Sequence, residues 1–179
     1  HAVDKAAVVA ALGGELGAQA ATTYITPGIP GRQDYDLYPH DAAKAKELLT
    51  GKTVPGLVLL TDNGAASKAV AEAVGQSLKE AGLQVTIEAV EPDTFTERTT
   101  KGDGSTYDLA IGSWNPDYPS ANANIQPLFA SSEIGGGGVN FARYSNAEVD
   151  AAIDRAQADL DAESARAQWA ALDRRIAED

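Results

Sequence analysis

Hydrophobic positions recur at helical spacing near the start of the chain. Val8, Val9 and Leu12 share a face behind Asp4, so a helix is predicted that Asp4 caps and Gly13-Gly14 stop. Residues 15–40 lack periodicity and carry Pro27-Gly28, Pro30-Gly31 and Pro39, which mark turns. So long an irregular stretch is functional or packs on something else. Asp41 then caps a short helix that runs through Leu48-Leu49 to Gly51. Gly56 to Leu60 is a continuous apolar run, the pattern of a strand buried on both faces. Beyond it Ala66, Val70, Ala73, Val74, Ser77, Leu78 and Ala81 line one side of a helix that Gly82 closes. Leu83, Val85, Ile87 and Ala89 alternate with polar residues as a half-buried strand does. Pro92 opens a helix to about Thr99 with Phe95 inward, and Tyr107 to Gly112 is a third strand. Strand–helix–strand–helix–strand with short connections predicts a parallel sheet flanked by helices.

After the third strand the pattern changes. Ser113 to Asn124 reads as a loop, followed by a short helix ending near Phe129-Ala130. Gly135 to Gly138 reads as a flexible hairpin tip or linker. Ser145-Asn146-Ala147-Glu148 fits a capping box, with Val149, Ile153, Ala156 and Leu160 on one face behind it. Trp169, Leu172 and Ile176 define a last helix. The chain stops inside it at Asp179, uncapped, and lacks an initiator Met; both features suit a piece of a longer protein.

Composition narrows the chemistry. The 179 residues hold 26 acidic and 14 basic side chains, a net charge of −12, which argues against a nucleic-acid or anionic-membrane surface. With no cysteine, disulfides, thiolate zinc sites and a cysteine nucleophile are excluded within this chain. No run approaches the roughly 18–20 apolar residues of a spanning helix. Gly51-Lys52-Thr53 lacks the upstream glycine and preceding strand of a phosphate loop. His1 and His40 lack companions at metal-ligand spacing, and no serine sits in a nucleophile elbow. The carboxylate pairs Asp34/Asp36, Asp103/Asp108 and Asp159/Asp161 read as solvated faces. No metal, cofactor or catalytic residue is expected.

One segment stands out. Trp114-Asn115-Pro116-Asp117-Tyr118-Pro119 follows the C-terminal end of the third predicted strand, where open parallel sheets bind ligands. Two aromatics around one carboxylate make an apolar wall with a negative charge, suited to a cationic or amine-bearing ligand. The same residues fit a second reading, in which Trp114 and Tyr118 pack under the loop and Asp117 caps a turn.

These residues also resemble a known family, the solute-binding proteins of oligopeptide and dipeptide ABC transporters (extracellular solute-binding protein family 5). The likeness runs through His1 to Lys5, Pro27 to Gly31, Tyr38 to Asp41, Ala43 to Leu49, Gln76 to Gly82, Tyr107 to Leu109, Trp114 to Tyr118 and Tyr144 to Asp150. It implies an α/β, three-layer-like, periplasmic-binding-protein-like lobe of the type II, dipeptide-binding class. Residues 1–179 would form that single distal lobe, whose partner lobe lies elsewhere in the same chain. The implied function is peptide capture between two lobes for import through a membrane ABC permease. The implied place is outside the cytoplasm, as a cell-surface lipoprotein or periplasmic protein. Asp117 is then the residue facing a ligand's α-amino group, with Trp114 lining the pocket, Tyr118 supporting the loop, and Asn115 in the same ligand-binding segment. Pro116 and Ser120-Ala121-Asn122 depart from the family's usual continuation, so the resemblance does not extend to the pocket floor. Other readings are a sugar or nickel-complex binder on the same fold, a small α/β enzyme or sensor module, and an autonomous interaction domain.

Overall fold

A computed structural model describes residues 1–179. Its backbone divides into two compact units. One comprises His1–Ala20, Tyr38–Arg98 and Gly102–Gly112; the other comprises Ala21–Leu37, Thr99–Lys101 and Ser113–Asp179.

The first unit is built on a three-stranded parallel sheet of order β2-β1-β3. Strand β1 (Leu57–Asp62) pairs along its whole length with β2 (Val85–Val90), and more briefly with β3 (Leu109–Ala110). Leu59, Leu60 and Thr61 are all buried. Successive side chains point to opposite faces, so both faces of β1 are covered, as its unbroken apolar run requires. Helix α1 (Lys5–Ala11) packs on α3 (Ala65–Glu80), and α3 packs on β1 and β2. Asp4 caps α1 by accepting from Ala6 and Ala7, and Asp41 caps α2 (Ala42–Leu49) by accepting from Lys44. Pro92 opens α4 (Pro92–Thr100), and Phe95 is buried as expected.

Two expectations in this unit shift. The expected face of α3 holds at Ser77, Leu78 and Ala81, which are buried, and at Val74, which packs on the core, but Ala66 is exposed. The face widens to Ala71 and Gly75, where α3 lies close over β2: a Cβ at Gly75 would sit 3.1 Å from Ile87 Cδ1. The third strand is also shorter than the run Tyr107–Gly112. On either side of the strand the run still bonds to β1, Asp108 N–H on the Val58 carbonyl at 3.0 Å and Ile111 N–H on the Leu60 carbonyl at 2.9 Å. Just before it Arg98 makes a two-pronged pair with Glu88 at 2.7 and 3.1 Å and reaches the Thr106 carbonyl at 2.8 Å. The Arg98 hydrogen bonds hold the Glu88 carboxyl below its usual range.

The second unit is helical. Its core joins Ile25, Ile125, Phe129, Val149, Ile153, Trp169, Leu172 and Ile176. Helix α5 (Ala121–Phe129) starts three residues before the end of the predicted loop, because Ser120 caps it by accepting from Asn122 N–H. Helix α6 (Ala147–Ala158) is capped by Asn146 and not by Ser145: the Asn146 side chain accepts from Glu148 and Val149. Val149, Ile153 and Ala156 are buried, but α6 stops at Ala158 and Leu160 is 100% exposed. An extended Asp159 separates it from α7 (Ala162–Glu178), whose Trp169, Leu172 and Ile176 face inward. Gly135–Gly138 is no hairpin tip, since no strand flanks it. Gly135, Gly136 and Gly137 take positive φ, which glycine alone adopts freely.

Buried polar side chains fix the irregular backbone of this unit. Asn140 donates to the carbonyls of Ala130 and Tyr144 and accepts from Tyr144 N–H. Asn124 accepts from Thr26 N–H at 3.2 Å and donates to the Ser120 carbonyl at 2.8 Å. Asp173, fully buried on α7, accepts from Tyr24 N–H at 2.7 Å. Its second oxygen and the nearby Tyr35 hydroxyl are both buried. Burial pushes the Asp173 carboxyl up, and burial together with the Asp173 charge pushes the Tyr35 hydroxyl up.

A raised folded pKa favours the protonated acid, so the stability it contributes is present at low pH. That stability is lost as pH climbs from the ordinary aspartate value through the raised one. Asp173→Asn keeps an acceptor for Tyr24 and removes the buried charge. It is expected to be at least as stable as wild type at neutral pH and to lose that relative advantage on acidification. Asp173→Ala orphans the Tyr24 N–H and should cost about 1–3 kcal/mol. Denaturant titrations of the three proteins across pH check both statements.

Candidate functional site

The chain leaves β3 at Ala110 and enters the Trp114–Pro119 segment, which belongs to the helical unit from Ser113 onward. Local rules explain how the segment is held. Pro127 lies inside α5 and has no N–H to give to the carbonyl four residues earlier, that of Ala123. The indole Nε1–H of Trp114 donates to that same carbonyl at 2.8 Å. The proline therefore creates the acceptor on which the loop is pinned. At the far end of the segment, Ser120 N–H donates to the Tyr118 carbonyl at 2.9 Å, and the Ser120 hydroxyl caps α5.

The side chains divide by this frame. Trp114 is half-buried, with its polar edge committed to Ala123. Tyr118 is 51% exposed, and its hydroxyl accepts from Asn122 Nδ2 at 2.8 Å. Asn122 Oδ1 in turn accepts from Gln157 Nε2 on α6 at 2.8 Å. Asp117 and Asn115 are exposed. Neither side chain hydrogen-bonds or ion-pairs with another group of the chain, so Asp117 is not a turn cap. The arrangement offers a fixed aromatic rim, one solvated carboxylate and one amide, and it holds no nucleophile with an adjacent base. The structure thus places Trp114, Asn115, Asp117 and Tyr118 on one short braced loop.

Two contributors went unmarked in the sequence, Pro127 and Gln157, and Asn122 was marked only as a departure from the family's usual continuation. A proline within a helical stretch was the available signal for the first, since it names its orphaned carbonyl by subtraction. Asn122 stands four residues after Tyr118, but its pairing to Gln157 spans 35 positions and leaves no local trace.

Residues 1–136 match the family described as bacterial extracellular solute-binding proteins, family 5 Middle. The chain belongs to that family. Within it, the chain is 35% identical over 127 residues to the probable D,D-dipeptide-binding periplasmic protein DdpA of Escherichia coli (strain K12). That alignment covers 69% of this chain and 24% of DdpA. It is 29% identical over 145 residues to the probable di/tripeptide-binding protein 5 of Pseudomonas aeruginosa (strain UCBPP-PA14), covering 78% of this chain and 26% of that one. Among solved structures, the clavulanic acid biosynthesis oligopeptide binding protein 2 matches with a TM-score of 0.85 and 27% identity. The match covers 99% of this chain and 35% of that one. DppA from Helicobacter pylori in complex with peptide STSA shares the fold at a TM-score of 0.85 and 23% identity, over 99% of this chain and 35% of that one. This family 5 chain thus has the α/β, periplasmic-binding-protein-like fold that its sequence implied, and it spans about a quarter of the length of its curated relatives.

The pinning of the loop is directly testable. Trp114→Phe leaves the Ala123 carbonyl without its donor and should cost about 1–2 kcal/mol. Pro127→Ala restores a helical N–H to that carbonyl, so the double variant Trp114→Phe/Pro127→Ala should recover most of the loss. Chemical denaturation of the two single variants and the double variant reads the coupling. Additive effects would refute it.

Proposed function

We propose that this chain is one lobe of a two-lobed extracytoplasmic receptor that captures peptides for import through a membrane ABC permease, acting as a binder and not as a catalyst. The missing partner is then the second lobe of the same protein. Closure of two lobes replaces a ligand's water with fixed protein groups. The observation that carries the reading is Asp117: an exposed carboxylate without a partner in the chain, set between two aromatics on a loop braced at both ends. A carboxylate so placed suits a peptide's terminal ammonium. The relatives named for dipeptides and di/tripeptides support the same solute class, and the family's extracellular members support the location.

In the closed receptor the Asp117 carboxylate would be desolvated against that ammonium, and removing one partner of such a pair costs about 2–5 kcal/mol. Asp117→Asn in the full-length receptor is therefore expected to weaken free-amine peptides by about 30- to 3,000-fold. N-acetylated peptides, which lack the positive charge, should lose far less. Calorimetry on both peptide sets is the check; equal losses, or none, would remove Asp117 from the site.

A further inference from the structure

Tyr118 is placed to do more than support its loop. Its hydroxyl oxygen accepts from Asn122 Nδ2, and its own O–H donates to no group of the chain. Asn122 Oδ1 accepts from Gln157 Nε2 at 2.8 Å, which turns the Asn122 Nδ2–H toward the phenol. An amide whose oxygen is already engaged presents its donor to the phenol, and a phenol that receives a donor must point its proton elsewhere. The ring is half-exposed and follows Asp117 directly in the chain.

We propose that the Gln157–Asn122 relay fixes Tyr118 as a hydrogen-bond donor to a backbone carbonyl of the bound peptide, beside the ammonium held by Asp117. Asn122 and Gln157 are then positioning residues, and Tyr118 is a specificity-determining one. The donor excludes solutes that lack an acceptor next to their amine. It reads no side chain, so it recognises peptides as a class. The proposal rests on the peptide reading above, and its test separates the two.

The test uses the full-length receptor and alanine peptides of two to six residues, free and N-acetylated, with affinity read by calorimetry. Tyr118→Phe should weaken every peptide that wild type binds by about three- to tenfold, free and acetylated alike, because the bond lost is to a carbonyl. Asn122→Asp is isosteric but can only accept, so it should capture the Tyr118 proton and reproduce the loss. Gln157→Glu should do the same by turning the Asn122 amide around. The negative charge that either change adds would by itself tighten amine-bearing peptides, so a loss has the opposite sign from a charge effect. In a Tyr118→Phe background neither change should cost anything further, a coupling that a merely structural role does not produce. Unchanged affinity in Tyr118→Phe or Asn122→Asp, or additive losses, overturns the relay and leaves the Asp117 reading standing. A wild-type receptor that binds none of these peptides overturns both.

Discussion

The candidate site depends on one carbonyl. Ala123 sits in the first turn of α5, and Pro127 denies it the helical partner it would otherwise have. An orphaned buried acceptor costs more than a hydrogen bond returns, so the position demands a donor from outside the helix. The Trp114 indole supplies it. Once that bond is made, the Trp114–Pro119 segment has a fixed point at one end, and the Ser120 cap fixes the other. Asp117 and Tyr118 lie between the two. A loop held this way can present an unpaired carboxylate to solvent without collapsing over it, which is what a site waiting for a ligand requires.

The same logic recurs across the helical unit. The segment 21–37 has no regular ladder to satisfy its backbone, and its N–H groups find buried side chains instead: Tyr24 on Asp173 and Thr26 on Asn124. The turn around Arg143, whose φ of 52° is left-handed, closes on Asn140. Each of these polar residues is fully buried or nearly so and serves backbone at least four positions away. Apolar packing of α5, α6 and α7 supplies the bulk of the driving force, but it is indifferent to how an irregular strand of chain lies over it. The buried amides and the buried carboxylate supply that discrimination. For Asp173 the cost shows in a carboxyl pushed upward by burial.

Periodic elements were legible in the sequence because their signals are local. Asp4 and Asp41 cap as read, the β1 run is buried on both faces, and the strand–helix alternation does produce a parallel sheet. Errors fell where a local signal had a close competitor. Ser145 and Asn146 are both good caps one residue apart, and the Asn side chain reaches two N–H groups at once. Leu160 matched the helical period of α6 but lies beyond Ala158, where the extended Asp159 has already ended the helix. The loop was read through to Asn124, yet Ser120 is the cap and Asn122 and Asn124 follow it. Both fall in the first helical turn, where Asn124 also returns a bond to the Ser120 carbonyl. The sheet order β2-β1-β3 was not in the pattern at all, since alternation alone does not say on which side of β1 the third strand lands.

Of the candidate site, the four chemically conspicuous residues were visible and their supports were not. An aromatic–acid–aromatic run announces itself through side-chain type. A brace announces itself only through what it leaves unsatisfied, and that requires counting backbone donors. Pro127 could have been counted, because the carbonyl it abandons is fixed by helix geometry. Gln157 could not, because nothing in its neighbourhood on α6 marks it as different from any exposed helical glutamine until Asn122 is brought against it. The distinction bears on how such a loop tolerates change. Replacing a conspicuous residue alters what the loop offers to a ligand, whereas replacing a brace alters where the offered groups point. A site whose aromatics and acid are intact can therefore still lose its fixed geometry through Pro127, Asn122 or Gln157, residues with no evident ligand chemistry of their own.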